Sequence, residues 1–191
     1  MELILIGYFP KKVAARPESL SAPHVEEICS VSECISSGPE GWVQKWLHNE
    51  MWLFDTEASA LQVVPDGARS DFTLFAYKML PALFEKGTQV EFRIPRLAVQ
   101  PLPQDYAMLG YDAVSRSSGN QFECSPLSCN GMAEKVPTNR YCLLETLDAA
   151  LSAAKSFSLG GCEPGPYCVI EVWRKLKPPS GRRTQLSLLN D

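Results

Sequence analysis

The chain has 191 residues and a formal net charge of −4, with 45% hydrophobic and 21% charged residues. These values are typical of a globular protein with one large or two small domains, and no apolar run is long enough to span a bilayer. The acidic balance argues against a general nucleic-acid binder, which usually needs a basic face. Glu2 leads into an apolar run without a basic secretory leader, so we expect a cytoplasmic protein without membrane partners.

The first half of the chain predicts strands alternating with short helices. Residues 2–9 are almost continuously apolar, which indicates a buried strand. Apolar residues from Trp42 to Leu47 share one helical face if a helix begins at 37–39, where proline is tolerated in the first turn. The other predicted elements are a strand at 50–54, a short helix capped by Asp55 or Thr56, and strands at 71–79 and 89–93.

The second half predicts a similar order of elements. Its strongest helical pattern covers 145–157, where apolar residues recur three and four positions apart and Gly160-Gly161 follows. The other predicted elements are a strand at 107–115, a polar hairpin turn at 117–120, a short strand at 140–143 and a long strand at 167–176.

Short motifs recur in the same order in both halves. The matched pairs are Gly7-Tyr8 with Gly110-Tyr111, Cys29-Ser30 and Cys34 with Cys124-Ser125 and Cys129, and Asn49–Thr56 with Asn139–Thr146. Self-similarity in a fixed order is typical of a repeat. We therefore predict an α+β fold built from an internally duplicated strand-loop-strand-helix-strand unit, with a mixed sheet, helices packed on one face and pseudo-two-fold symmetry.

Composition suggests the boundaries of the two repeats. The first repeat is expected at 1–94 and the second at 106–177, joined by a proline-rich linker at 95–105 and fused into one compact domain. Residues 178–191 are expected to form a flexible tail. The basic residues at its start suit either a solubilising tail or a docking arm.

The two Cys-x4-Cys elements are the sharpest candidates for chemistry. Thiolates of Cys29, Cys34, Cys124 and Cys129 can close a tetrahedral zinc site if the two loops meet. The alternatives are a disulfide or redox pair within one loop, and plain packing as small apolar side chains. The sequence leaves these alternatives open, and it indicates no cofactor other than zinc.

A polar turn in the second half suggests a binding site for a small ligand. Arg116, Ser117 and neighbouring backbone amides can hold a phosphate or carboxylate, although the glycine spacing of a phosphate-binding loop is missing. Asp112 and Asn130 lie nearby in sequence and complete this candidate site at the seam between the repeats. A hairpin turn in which Arg116 pairs with an acidic neighbour accounts for the same residues without a ligand.

An aromatic segment in the first half suggests a second binding surface. Trp42 and Trp46 are candidates because tryptophan is enriched at interaction hot spots, although such residues also form core. His48 follows them, and with His24 it is the only available histidine base for a cysteine nucleophile. No catalytic motif supports such a pair, so we predict no catalytic residue.

These observations favour a non-catalytic binding module over an enzyme. The leading hypothesis is an inhibitor- or immunity-type protein whose acidic surface attracts basic partners such as nucleases. One alternative is a small-molecule-binding protein or enzyme with its site at the seam between the repeats. A second alternative is a zinc-stabilised module.

Overall fold

The computed structural model describes residues 2–116 and 119–177. The fold is α+β, as predicted, with an antiparallel sheet and few helices. Ser117 and the predicted tail at 178–191 lie outside the described residues. In the part of the chain that is described, no helix is long and apolar enough to cross a membrane.

Strands and short helices alternate along the chain. The strands are β1 (Ile4–Lys11), β2 (Ala14–Ala15), β3 (Glu27–Ile28), β4 (Thr73–Met79), β5 (Ala82–Glu85), β6 (Thr88–Glu91), β7 (Tyr106–Ser115) and β8 (Tyr167–Lys175). The α-helices are α1 (Glu57–Gln62), α2 (Pro126–Cys129) and α3 (Leu147–Phe157), and single 3-10 turns lie at Val43–Lys45, Arg69–Asp71 and Met132–Glu134.

The main sheet joins the two halves of the chain. β4 lies between β1 and β8, and β8 also pairs with β7 and with the end of β5, which forms a hairpin with β6. The sequence pattern predicts a mixed sheet. Every pairing between these named strands is instead antiparallel. The reason is that no ladder strand forms just before α1 or α3, so a parallel strand-helix-strand unit cannot close.

Two predicted strands and one predicted helix are wrong. Residues 50–54 and 140–143 form turns with isolated bridges to β1 and β7 rather than ladder strands. The helix expected from 37–39 is reduced to the 3-10 turn Val43–Lys45, because Trp46 adopts a left-handed conformation with φ 51° and stops it. The helix around 145–157 and the strands around 2–9, 71–79, 107–115 and 167–176 are present within a few residues.

An asparagine organises each of these two turns. Asn139 Nδ2 donates to the Leu109 carbonyl at 2.7 Å, and its Oδ1 accepts from the Tyr141 amide at 2.9 Å. Asn49 makes the corresponding bonds, donating to Ile6 at 3.0 Å and accepting from the Met51 amide at 2.9 Å. Matching contacts fit the proposed duplication, which stays a prediction.

A threonine begins the helix after each turn. The Thr56 hydroxyl accepts from the Ser59 amide at 3.0 Å, and the Thr146 hydroxyl accepts from the Ala149 amide at 3.2 Å. These bonds satisfy amides that would otherwise lack partners at the helix N-terminus. The local sequence is therefore sufficient to place the starts of α1 and α3.

Two hydrophobic clusters fill the interior. The first contains most of the buried residues of β1 and β4 together with Cys168, Ile170 and Val172 of β8. The second contains the alternate residues Tyr167 and Val169 of β8, packed against the buried face of α3. Because successive residues of a strand point to opposite sides, β8 contributes to both clusters and is the centre of the core.

Candidate metal centre

Three cysteines from two separate loops converge at one point. The sulfur atoms of Cys34, Cys124 and Cys129 all lie within 4.8 Å of one another. Cys34 is exposed, Cys129 is half-buried and Cys124 is buried, so the cluster opens to solvent on one side. Thiols used only for packing are normally enclosed, as Cys142 and Cys168 are in this fold.

Strand β7 and helix α2 hold two of these cysteines. The Cys124 amide donates to the Ser115 hydroxyl at 3.1 Å, and the Cys124 carbonyl accepts from the Ser115 amide at 2.9 Å. Cys129 ends α2, where its amide donates to the Ser125 carbonyl at 2.8 Å. The backbone of both cysteines is therefore held by hydrogen bonds to buried residues.

A buried lysine holds the loop that carries Cys34. Lys11 is fully buried at the end of β1, and its ammonium donates to the carbonyls of Ser30 at 2.7 Å, Val31 at 2.9 Å and Ser32. Burial lowers the pKa of Lys11 to about 8, which still leaves the ammonium as the main form at neutral pH. Three carbonyl acceptors satisfy the three donors of that ammonium.

The same loop is bound to the second cysteine loop. The Ser32 hydroxyl donates to the Glu123 carbonyl at 2.8 Å, and the Cys34 thiol donates to the same oxygen at 3.1 Å. Glu123 immediately precedes Cys124 in the chain. These contacts bring the two Cys-Ser-x-x-x-Cys elements together, as a shared zinc site requires.

Asp112 completes a buried polar link below the cluster. Its carboxylate is fully buried and accepts from the Ser125 hydroxyl at 2.7 Å. Burial raises the pKa of Asp112, while hydrogen bonding to Ser30 and Ser125 and the charge of Lys11 oppose that rise. The hydroxyl of Ser125, in the second Cys-Ser element, is therefore bonded to a carboxylate of β7.

The pKa values of the three thiols are shifted in different directions. Hydrogen bonding by the Cys124 thiol lowers the pKa of Cys129 to about 6, and contacts with Cys34 and Ser128 act in the same direction. The same interaction with Cys129 raises the pKa of Cys124, and burial raises the pKa of Cys34. A thiolate, rather than a thiol, is the form that binds metals.

The spacing of the sulfur atoms fits a zinc ion. Zinc–sulfur bonds of about 2.3 Å in a tetrahedral site put pairs of sulfur atoms about 3.8 Å apart. The observed limit of 4.8 Å is therefore within about 1 Å of that geometry, a shift that side-chain rotation can supply. The residues present thus fit three of the four zinc ligands.

Cys29, the fourth predicted zinc ligand, lies apart from the cluster. Its sulfur atom accepts from Arg174 Nη2 at 2.8 Å and faces Glu27. Burial raises its pKa to about 11, so it is a thiol at neutral pH. Its backbone amide is bonded to the Tyr141 carbonyl at 3.2 Å, and the loop then turns over Lys11 before it reaches Cys34.

A surface cleft borders one of the three cysteines, Cys129. The cleft has a volume of about 350 Å³ and is lined in part by Cys129, Asn130 and Glu134. Asn130 Oδ1 lies 3.8 Å from the Cys124 sulfur. Asn130 is therefore the predicted binding residue that the structure places beside the three cysteines.

Arg116 does not reach the cysteine cluster. Its guanidinium lies 4.3 Å from the centre of the Phe92 ring, and Nη2 donates to Asn120 Oδ1 at 2.6 Å. The arginine is 3% exposed, and Asp112 is bonded to Ser125 rather than paired with it. The structure therefore separates Asp112 and Arg116, which the sequence places in one site.

The aromatic residues divide between core and surface. Trp42 is buried and packs edge-on against Phe9 at 4.8 Å. Trp46 is 78% exposed, whereas His48 stacks on the Trp52 ring at 4.7 Å. A cavity of only about 20 Å³ lies between Trp42, Phe9 and residues of the second half, and that volume is enough for about one water molecule.

Sequence reasoning misses the residues that support the cluster. Lys11 follows the strand predicted at 2–9. Because lysine is rarely buried, the sequence favours a surface position for it. Ser125 and Ser30 belong to the repeated Cys-Ser pairs, and that repetition of serine is the signal that could identify them. Ser115 is the last residue of the strand predicted at 107–115 and gives no such signal.

Comparisons with known proteins add no family to these observations. No protein-family model matches the chain, and the comparisons with curated proteins and with solved structures found no match.

Proposed function

We propose that the protein is a non-catalytic binding module whose ligand is a zinc ion held by Cys34, Cys124 and Cys129. The observation that carries this proposal is the convergence of three sulfur atoms within 4.8 Å from two distant parts of the chain. The backbone bonds of Cys124 and the carbonyl contacts of Lys11 support it, because a site held in advance loses less entropy on binding.

The fourth zinc ligand would come from the solvent side of the cluster, where Cys34 is exposed. Solvent, or a donor from a bound partner, can occupy that position, since zinc sites with three protein ligands keep one place open. Three thiolates around zinc leave a net negative charge, which weakens its pull on a bound water. The three converging sulfur atoms indicate metal binding and assign no reaction to the site.

Metal titration of the reduced, metal-free protein tests the proposal. Cobalt(II) is expected to bind as a single ion with a thiolate charge-transfer absorption band, and zinc is expected to displace it. Replacing Cys34, Cys124 or Cys129 by serine is expected to weaken zinc binding by about 100-fold or more. Affinity is also expected to fall at acidic pH, because protons compete for thiolates.

Cys162→Ser is the matched control for these variants. Cys162 is half-buried like Cys129 and lies outside the cluster, so its replacement is expected to leave zinc affinity unchanged. Absence of the charge-transfer band in the wild type, or an equal loss in Cys162→Ser, would contradict the proposal.

A second candidate function is the recognition of a basic protein partner. The observation that favours it is the 78% exposure of Trp46 beside the stacked His48 and Trp52 rings, on a chain with a net charge of −4. Exposed tryptophans frequently dominate the binding energy of protein interfaces. An inhibitor- or immunity-type function is consistent with these features.

Calorimetric titration against a panel of basic nucleases checks this second function. Trp46→Ala is expected to weaken binding by about tenfold or more. Leu159→Ala, at a hydrophobic residue that is 69% exposed elsewhere, is the control and is expected to have little effect. Binding that is unchanged in Trp46→Ala, or missing for the whole panel, would remove this candidate.

A further inference from the structure

The three clustered cysteines differ from the other four in being close together and open to solvent. Cys29, Cys142 and Cys168 are buried, and Cys162 is half-buried but outside the cluster. Cys34 alone among the seven is exposed, and two further thiols lie within 4.8 Å of it. An oxidant in solution can therefore reach this cluster, and a second thiol is in position to react with the first sulfur that is oxidised.

We propose that this cluster is also an oxidation site, in which a hydroperoxide joins Cys34 and Cys129 in a disulfide that expels the zinc ion. Formation of the disulfide depends only on the geometry of the thiols. Release of the metal rests on the proposed zinc-binding function.

The reaction balances without a further cofactor. The thiolate of one of the two cysteines, Cys34 or Cys129, attacks the hydroperoxide, whose O–O bond breaks, so that this cysteine becomes a sulfenic acid and water leaves when the oxidant is hydrogen peroxide. The sulfur of the other cysteine then attacks the sulfenic sulfur, the S–OH bond breaks and a second water leaves. Two thiols are oxidised to one disulfide, and one peroxide is reduced to two waters.

Cys129, rather than Cys124, is the partner because of how each residue is held. The amide and the carbonyl of Cys124 are both hydrogen-bonded to Ser115, and the Cys124 side chain is buried. Cys129 is half-buried at the end of α2 and lines the open cleft. The Cys34 side chain is exposed, so it can turn towards Cys129 once its bond to the Glu123 carbonyl is released.

The disulfide would remove two of the three zinc ligands at once. One remaining thiolate cannot hold zinc in competition with water. Binding of the metal would then depend on the redox state, with a thiol reductant restoring the site.

Peptide mapping of the oxidised protein tests this inference. Metal-free wild-type protein is treated with one equivalent of hydrogen peroxide, alkylated, and digested without reduction. A Cys34–Cys129 cross-linked peptide and the loss of two free thiols per chain are expected. Cys34→Ser and Cys129→Ser should abolish the cross-link, and Cys162→Ser should react like the wild type.

Zinc release measured with a chromophoric indicator forms the second arm. The zinc-loaded protein is expected to release its zinc in step with disulfide formation and to rebind it after dithiothreitol is added. A main cross-link through Cys124, or equal oxidation of Cys162, would overturn the inference. If zinc binds but no Cys34–Cys129 disulfide forms, the inference fails and the proposed function stands. If the disulfide forms in a protein that binds no zinc, the proposed function fails instead.

Discussion

Replacement of Lys11 by methionine is expected to lower the free energy of unfolding by about 3–5 kcal/mol. Methionine fills a similar volume but donates no hydrogen bond, so the carbonyls of Ser30, Val31 and Ser32 would lose their buried partner. The buried Asp112 carboxylate would also lose the positive charge that favours its ionised form. Urea denaturation at neutral pH, followed by circular dichroism, measures the change.

Lys12→Met is the matched control for this variant. Lys12 is the next residue and its side chain is exposed, so its replacement is expected to change stability by no more than about 0.5 kcal/mol. Equal stability of the two variants would show that the buried ammonium does not hold the cysteine loop.

The pH dependence of Lys11 provides an independent check. Its pKa is about 8 in the folded state, below the ordinary value of 10.5, so the unfolded chain binds more protons between these two values. The cost of keeping the lysine charged in the fold is therefore fully present below pH 8 and disappears as pH rises towards 10.5. The stability of the wild type relative to Lys11→Met is expected to increase across that range.

Replacement of Gly110 by alanine is expected to destabilise the fold by about 3 kcal/mol or more. Gly110 has a φ of 145°, and an added Cβ would lie 2.7 Å from the Leu144 carbonyl oxygen and 3.0 Å from the Leu143 Cβ. These atoms belong to the rigid turn that Asn139 organises, so they cannot move away at low cost. Thermal and urea denaturation of the purified variant measure the loss.

Gly160→Ala is the control that measures the cost of backbone strain without a steric clash. Gly160 has a φ of 114° with no atom within 4 Å of an added Cβ, so its replacement is expected to cost only about 1–2 kcal/mol. Gly7→Ala should resemble Gly110→Ala, because its Cβ would lie 2.6 Å from the Leu53 Cβ and 2.9 Å from the Phe54 carbonyl. Equal losses for Gly110→Ala and Gly160→Ala would contradict the close approach at β7.

Local patterns in the sequence are sufficient for the elements that carry their own signals. The apolar periodicity of α3, its Thr146 cap and the long apolar runs of β1 and β8 predict these elements within a few residues. The wrong predictions at 50–54 and 140–143 have a physical reason. In both segments an asparagine side chain replaces the ladder partner, and Trp52 and Cys142 take a φ of 59° that strands do not allow.

The candidate site was predicted only in part. The two Cys-x4-Cys elements identify Cys34, Cys124 and Cys129, but nothing in their spacing separates them from Cys29, which lies against Arg174. That separation depends on where the loop turns over Lys11. It therefore depends on contacts between residues that are distant in sequence.

Sequence alone therefore determined the α+β class and the apolar faces, because these depend on side-chain type and local periodicity. Only the tertiary structure decided which cysteines meet. The sulfur positions depend on the antiparallel pairing of β7 with β8, the burial of Lys11 and the contact of Ser32 with Glu123. Long-range pairing and burial are properties of the folded chain, so no local pattern encodes them.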